Sequence, residues 1–172
     1  MLFEKLGAVK AFAFDVDGVL TNGEVLVTEA GDQLRKFHIR DGYALQLAVK
    51  KGYPIVVITG AQSLGVQRRL EGLGIRDIYL GIRDKMTVFN AWLSRNQIQA
   101  AEVLYVGDDI PDLAVMRCVG IPACPADAAE EIKAIASYIS PKLGGCGAVR
   151  DVIEKVMKVQ QTWQDDVIVQ SV

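Results

Sequence analysis

The chain has 172 residues, 51% of them hydrophobic and 23% charged, with a formal net charge of −2. That balance fits one domain with a full hydrophobic core and excludes a disordered chain. It shows no basic excess that would suit nucleic acid, and no apolar run approaches a membrane span. The opening MLFEKLGAVK lacks the long apolar region and cleavage site of a signal peptide, so a cytoplasmic location is expected.

KAFAFDVDGVLT, residues 10–21, predicts a buried strand whose tip carries Asp15 and Asp17, followed at once by Gly18. Two carboxylates that close repel, and burying them unpaired is costly, so this tip demands a compensating cation. EVLVTEAGDQLRKFHI, residues 24–39, predicts a hairpin over about 23–38 turning at Ala30, Gly31 and Asp32. DGYALQLAVKKG predicts a helix from Asp41 to Gly52, and PIVVIT a strand buried on both faces. SLGVQRRLEGLG reads as a helix, IYLG as a short strand, DKMTVFNAWLSRN as a helix and EVLYVGD as a buried strand. Helix IPDLAVMRCVG, strand IPAC, helix ADAAEEIKAIA, the short run YIS and helix AVRDVIEKVMKVQ complete the alternation. SPKLGGCGA is a glycine-rich connection before the last helix, and residues 161–172 read as a tail after one domain of residues 1–160.

Alternating strands and helices predict an α/β fold with a mostly parallel sheet and helices on both faces. Ligands of such sheets bind beyond the carboxyl ends of the strands. Asp15 and Asp17 end one strand, Thr59 and Gly60 the next, and Asp108 and Asp109 a third, with Asp112 a turn later and Lys85 opening a helix. Each alone reads as a helix cap or turn residue. Together they predict one pocket. Several carboxylates there call for a hard cation with oxygen ligands, which suits Mg2+. Lys85 and the groups around Thr59 suit phosphate oxygens, and an aspartate can serve as the nucleophile of phosphoryl transfer. The single histidine, His38, excludes a two-histidine zinc site; it reads as a surface or interface residue. Cys118, Cys124 and Cys146 are an odd number without metal-type pairing, which suits a reducing compartment.

DVDGVLT, VVITG, Lys85 in RDK, and GDDIPD, in that order, resemble the four motifs of the haloacid dehalogenase superfamily. The resemblance implies a Rossmann-like fold in which Asp15 is the nucleophile and Asp17 the general acid and base. It implies that Thr59, Gly60 and Lys85 bind the phosphoryl group. Mg2+ would take Asp15, the backbone carbonyl of Asp17, and Asp108, with Asp109 and Asp112 supporting it or orienting Lys85. Neither the segment 22–58 nor 60–84 is long enough for a cap domain, so the hairpin stands as a flap over an open site.

Up to about Gln160 the chain is similar to the 3-deoxy-D-manno-octulosonate 8-phosphate phosphatase group. FDVDGVLT, RDGYALQLAVKKG, GDDIPDLAVM and GGCGAVRDV carry this likeness. It implies a cytoplasmic homotetramer of lipopolysaccharide precursor synthesis, acting on a small sugar acid phosphate, with active sites covered by neighbouring subunits. Gly144 and Gly145 would then lie near an adjoining site; the plainer reading is a flexible connection. Ala61, where many relatives carry a charge, leans toward the eight-carbon substrate rather than a nine-carbon one. Arg68 and Arg69 are candidates for the substrate carboxylate, including across a subunit boundary, or else a solvated helix face. A non-catalytic assembly module of the same fold is the alternative from another class.

Overall fold

The structure is a computed structural model that describes residues 2–163; positions 164–172 of the expected tail lie outside the described residues. Six strands form one parallel sheet: β1 (Ala11–Phe14), β4 (Ile55–Ile58), β5 (Asp77–Tyr79), β6 (Val103–Val106), β7 (Ile121–Cys124) and β8 (Tyr138–Ile139). Their order is β5-β4-β1-β6-β7-β8, so β1 sits between β4 and β6. Alternation along β1 sends Phe12 and Phe14 to one face and Ala11 and Ala13 to the other. The phenylalanines pack with α1 (Leu2–Ala8), α2 (Ile39–Lys50), α3 (Leu64–Gly72) and α7 (Ala148–Val159). The alanines face Phe89 and Trp92 of α4 (Lys85–Asn96), Val115 and Met116 of α5 (Leu113–Met116), and Ile132 of α6 (Glu130–Ile135). This is the expected α/β architecture, and among the described residues no cap domain interrupts it.

Four elements differ from the sequence expectation. α1 was not anticipated; it is short, and only Leu6 of it is buried. The hairpin pairs over two residues per strand, β2 (Leu26–Val27) with β3 (Gln33–Leu34), around a turn closed by Thr28 N–H donating to Asp32 O at 2.9 Å. Both strands are exposed, so among the described residues nothing packs on them to extend the pairing. The helix expected over residues 110–120 is a 3₁₀ turn (Ile110–Asp112) followed by the single turn of α5. Asp112 breaks it by turning its side chain back to the Asp108 N–H. α6 begins only at Glu130 because two upstream N–H groups are used elsewhere: Ala126 donates to Lys142 O at 2.9 Å and Ala129 to Asp108 O at 2.8 Å.

The last helix closes the domain on its beginning. Buried Asp41 of α2 caps α7, accepting from Gly147 N–H at 3.2 Å and Arg150 N–H at 2.7 Å. Beyond α7, Gln160 donates to the carbonyls of Leu6 at 2.9 Å and Val9 at 2.8 Å.

Candidate active site

Because β4, β1 and β6 are parallel neighbours, their carboxyl ends open on one edge. Asp15 follows β1, Thr59 follows β4, and Gly107 and Asp108 follow β6. Lys85, the first residue of α4, points into this edge with Nζ 3.0 Å from Asp15 Oδ1 and 2.7 Å from Asp112 Oδ1. Asp112 is buried and fully engaged. It also accepts from Tyr105 O–H at 2.6 Å and from Asp108 N–H at 3.0 Å. Asp15, Asp108 and Asp112 each bring a carboxylate oxygen within 4.8 Å of the others. Glycine is required around them. A Cβ on Gly18, at φ 82°, would collide with the Asp108 carboxylate, and one on Gly107 with Asp112.

The electrostatics follow from three acids sharing one lysine. Burial, reinforced by the Asp112 charge, pushes the Asp15 carboxyl up to about 6, against the pull of Lys85. Burial also pushes Asp108 up to about 7, with Asp15, Asp112 and Asp109 adding to it. For Lys85, burial works against the charge, but Asp112 and Asp15 outweigh it and hold the ammonium above its usual range. Asp15 Oδ1 is buried and has no well-aligned hydrogen bond despite the nearby lysine. An oxygen-only donor set with excess negative charge and an unsatisfied carboxylate oxygen fits a hard divalent cation.

Asp17 is held differently. Arg35, just after β3, donates from Nε to Asp17 Oδ1 at 2.7 Å and from Nη2 to Oδ2 at 3.1 Å. This paired grip ties the hairpin to the acidic edge. Thr59 is buried, and its Oγ1 accepts from Ala61 N–H at 3.2 Å. Asp15, Asp17, Thr59, Gly60, Lys85 and Asp108 all line one cleft of about 520 Å³.

A phosphatase with this edge has close relatives. The chain is 35% identical to 3-deoxy-D-manno-octulosonate 8-phosphate phosphatase KdsC of Escherichia coli (strain K12), over 88% of this chain and 81% of that protein. The chain belongs to this phosphatase family. It is 31% identical to KdsC of Yersinia pestis, over 92% of this chain and 85% of that one. Residues 77–153 match the haloacid dehalogenase-like hydrolase family. The structure superposes with a TM-score of 0.91 on the Moraxella catarrhalis 3-deoxy-D-manno-octulosonate 8-phosphate phosphatase. That protein, crystallised with magnesium ion, phosphate ion and a KDO molecule, is 35% identical, the match covering 94% of this chain and 93% of that one.

The remaining expected residues of this KdsC-family chain lie at different depths. Asp109 is exposed at the cleft mouth, where its Oδ1 accepts from Ile110 N–H at 2.8 Å. Arg69 lies over Gly42 at the start of α2 and borders an adjoining hollow with hairpin residues Gly31 to Arg35, which shares Gly60 and Ala61 with the Asp15 cleft. Arg68 is exposed on α3. Neither arginine lines the Asp15 cleft. Gly144 and Gly145 pack backbone to backbone beneath the Gly18–Asn22 loop of their own chain, and Gly145 N–H donates to Val19 O at 3.0 Å. Gly144 N–H donates to Asp127 Oδ1 at 2.9 Å. The sequence reading missed Arg35, Tyr105 and Arg83, which also lines the cleft. Tyr105 was visible as a phenol one strand position before Val106, but its partner lies beyond the strand. Arg35 had no local signal.

Proposed function

We propose that residues 1–160 form one phosphatase domain that hydrolyses 3-deoxy-D-manno-octulosonate 8-phosphate to KDO and phosphate, with Mg2+ as cofactor. The observation that carries this is the Asp15–Lys85–Asp112 network at the sheet edge of a KdsC-family chain. In this reading Asp15 and Asp108, with the backbone carbonyl of Asp17, hold the metal, which when bound offsets the negative charge and orients the phosphoryl oxygens. A carboxylate oxygen of Asp15 attacks phosphorus, and the bond from phosphorus to the sugar oxygen breaks. Protonated Asp17 gives its proton to that leaving oxygen. The resulting carboxylate then takes a proton from the water that attacks the aspartyl-phosphate, releasing phosphate and free Asp15. Lys85, positioned by Asp112, and the Thr59–Gly60 backbone hold the phosphoryl oxygens throughout. Asp109 supports the cation from the cleft mouth, and Arg35 fixes the position of the Asp17 side chain.

Ala61, which lines the cleft and carries no charge, supports the eight-carbon substrate. Exposed Leu26, Val27 and Leu34 support a homotetramer built on the hairpins, with each site covered by a neighbouring subunit. Among the described residues no helix is long and apolar enough to cross a membrane, in keeping with a cytoplasmic enzyme of lipopolysaccharide precursor synthesis. The test is phosphate release from the eight-carbon and nine-carbon keto-deoxy sugar acid phosphates, with and without Mg2+. A metal-dependent preference of about tenfold or more in kcat/KM for the eight-carbon ester is expected, about 1.4 kcal/mol. Equal activity on both overturns the specific substrate. No release from either overturns the enzyme reading.

A further inference from the structure

The substrate reading leaves one chemical need unmet. A sugar acid phosphate carries a second anion, its carboxylate, away from the reacting phosphorus. Of the residues lining the Asp15 cleft, two are cations, Lys85 and Arg83. Lys85 is committed to Asp15 at 3.0 Å and Asp112 at 2.7 Å. Arg83 is exposed, and among the described residues no carboxylate pairs with it.

We propose that Arg83 is a specificity residue that binds the carboxylate of the substrate's leaving group; this rests on the sugar acid reading above. The backbone beneath Arg83 is fixed on both sides. Gly81 N–H donates to Ala61 O at 3.0 Å, and Ile82 N–H to Thr59 O at 3.0 Å, so the segment is stitched to the strand end that bears Thr59. The Gln62 side chain covers Gly81, where a Cβ would come within 2.8 Å of it. On the other side, Asp84 caps α4 by accepting from Thr87 N–H at 3.3 Å. Arg83 therefore springs from a rigid ledge between the phosphoryl-binding threonine and the lysine. Only its own side-chain freedom is lost on binding, which keeps the entropic cost low. Ala61 lines the cleft with it and leaves room for a sugar chain between them. A guanidinium presents two parallel donors to a carboxylate, a geometry an ammonium cannot match. Arg68 and Arg69 of the same subunit do not line this cleft, and Arg69 borders the adjoining hollow beyond Gly60 and Ala61, so Arg83 is the guanidinium that the subunit itself brings to the cleft wall.

The test compares the intact enzyme with Arg83→Gln and Arg83→Lys, each checked for fold by circular dichroism. Each is assayed with Mg2+ on the eight-carbon sugar acid phosphate and on p-nitrophenyl phosphate, which has no carboxylate. For Arg83→Gln, the ratio of kcat/KM between the two esters should fall about tenfold or more, with the change in KM rather than kcat. Arg83→Lys should fall between. An unchanged ratio overturns the assignment, whether both activities fall together or neither falls. A wild-type enzyme that hydrolyses p-nitrophenyl phosphate but no sugar acid phosphate overturns the substrate reading, and Arg83 with it. Wild-type turnover of the sugar acid ester with an unchanged ratio in Arg83→Gln overturns the Arg83 role alone.

Discussion

The acidic edge and the hairpin lie a few residues apart in sequence and are built on opposite principles. At the edge most polar groups are answered within the chain, Lys85 by two carboxylates, Asp112 by three donors and Asp17 by an arginine, and the Asp15 Oδ1 carboxylate oxygen is left for a cation. The hairpin is unanswered. Its paired strands are two residues long, and Leu26 and Val27 are 67% and 62% exposed. This contrast between a largely satisfied edge and an exposed apolar hairpin is what supports the proposed hairpin-built assembly. Arg35 joins the two regions, since it leaves the hairpin to grip Asp17.

The strongest way to break the comparison is at the edge. Asp15→Asn should lower phosphate release by roughly a thousandfold or more, because the proposed nucleophile is gone. The near-isosteric amide should leave the circular dichroism spectrum unchanged. Retained activity would remove Asp15 from its role. At the hairpin the reverse pattern is expected: if the proposed tetramer is built there, Leu26→Asp should lower the mass seen in light scattering, and an unchanged mass would remove the hairpin from the proposed interface. Being on the surface, the substitution should change subunit stability by no more than about 0.5 kcal/mol. Loss of the fold in that variant would mean the hairpin is part of the core after all.

Removing metal sharpens the edge further. The Asp15 and Asp108 carboxyls sit above their unfolded value of 3.8, at about 6 and about 7. The folded protein therefore holds protons that the unfolded chain releases. The stability they contribute is fully present below the unfolded value and is lost as pH rises through 6 to 7. With a chelator, thermal scans should show Tm falling between pH 5 and pH 8, and Mg2+ should reduce or reverse that fall. A chelated protein whose Tm rises over the same range would contradict the shared charge. The smallest effect is Tyr105→Phe. It removes one of three donors to Asp112 and should cost about 1 kcal/mol, a Tm drop of about 2–4 °C. No drop would mean that Lys85 and the Asp108 N–H satisfy Asp112 without it.

Asp15, Thr59, Asp108 and Lys85 were legible because a parallel sheet sends all its carboxyl ends to one edge, so strand ends alone bring them together. The Asp112–Lys85 link was anticipated only as one of two roles, since sequence spacing cannot separate a metal neighbour from an ion-pair partner. The Arg35–Asp17 pair was hidden: it joins residues 18 apart through a hairpin whose pairing length depends on what packs against it. Helix lengths failed where side chains or carbonyls distant in the sequence captured N–H groups, as at Asp112 and Ala129. Arg83 stood in plain view beside Lys85, but a charged residue ahead of a helix looks like ordinary surface until the cleft around it is known.

The seat of Gly144 and Gly145 under the Gly18–Asn22 loop has a consequence for synthesis on the ribosome. Asp15 N–H reaches Val106 O at 3.1 Å, and Val19 O is met by Gly145 N–H. The segment that emerges among the first waits for partners that emerge much later. A nascent chain halted before residue 144 would carry every motif of the phosphatase, yet the floor beneath its acidic loop would be missing.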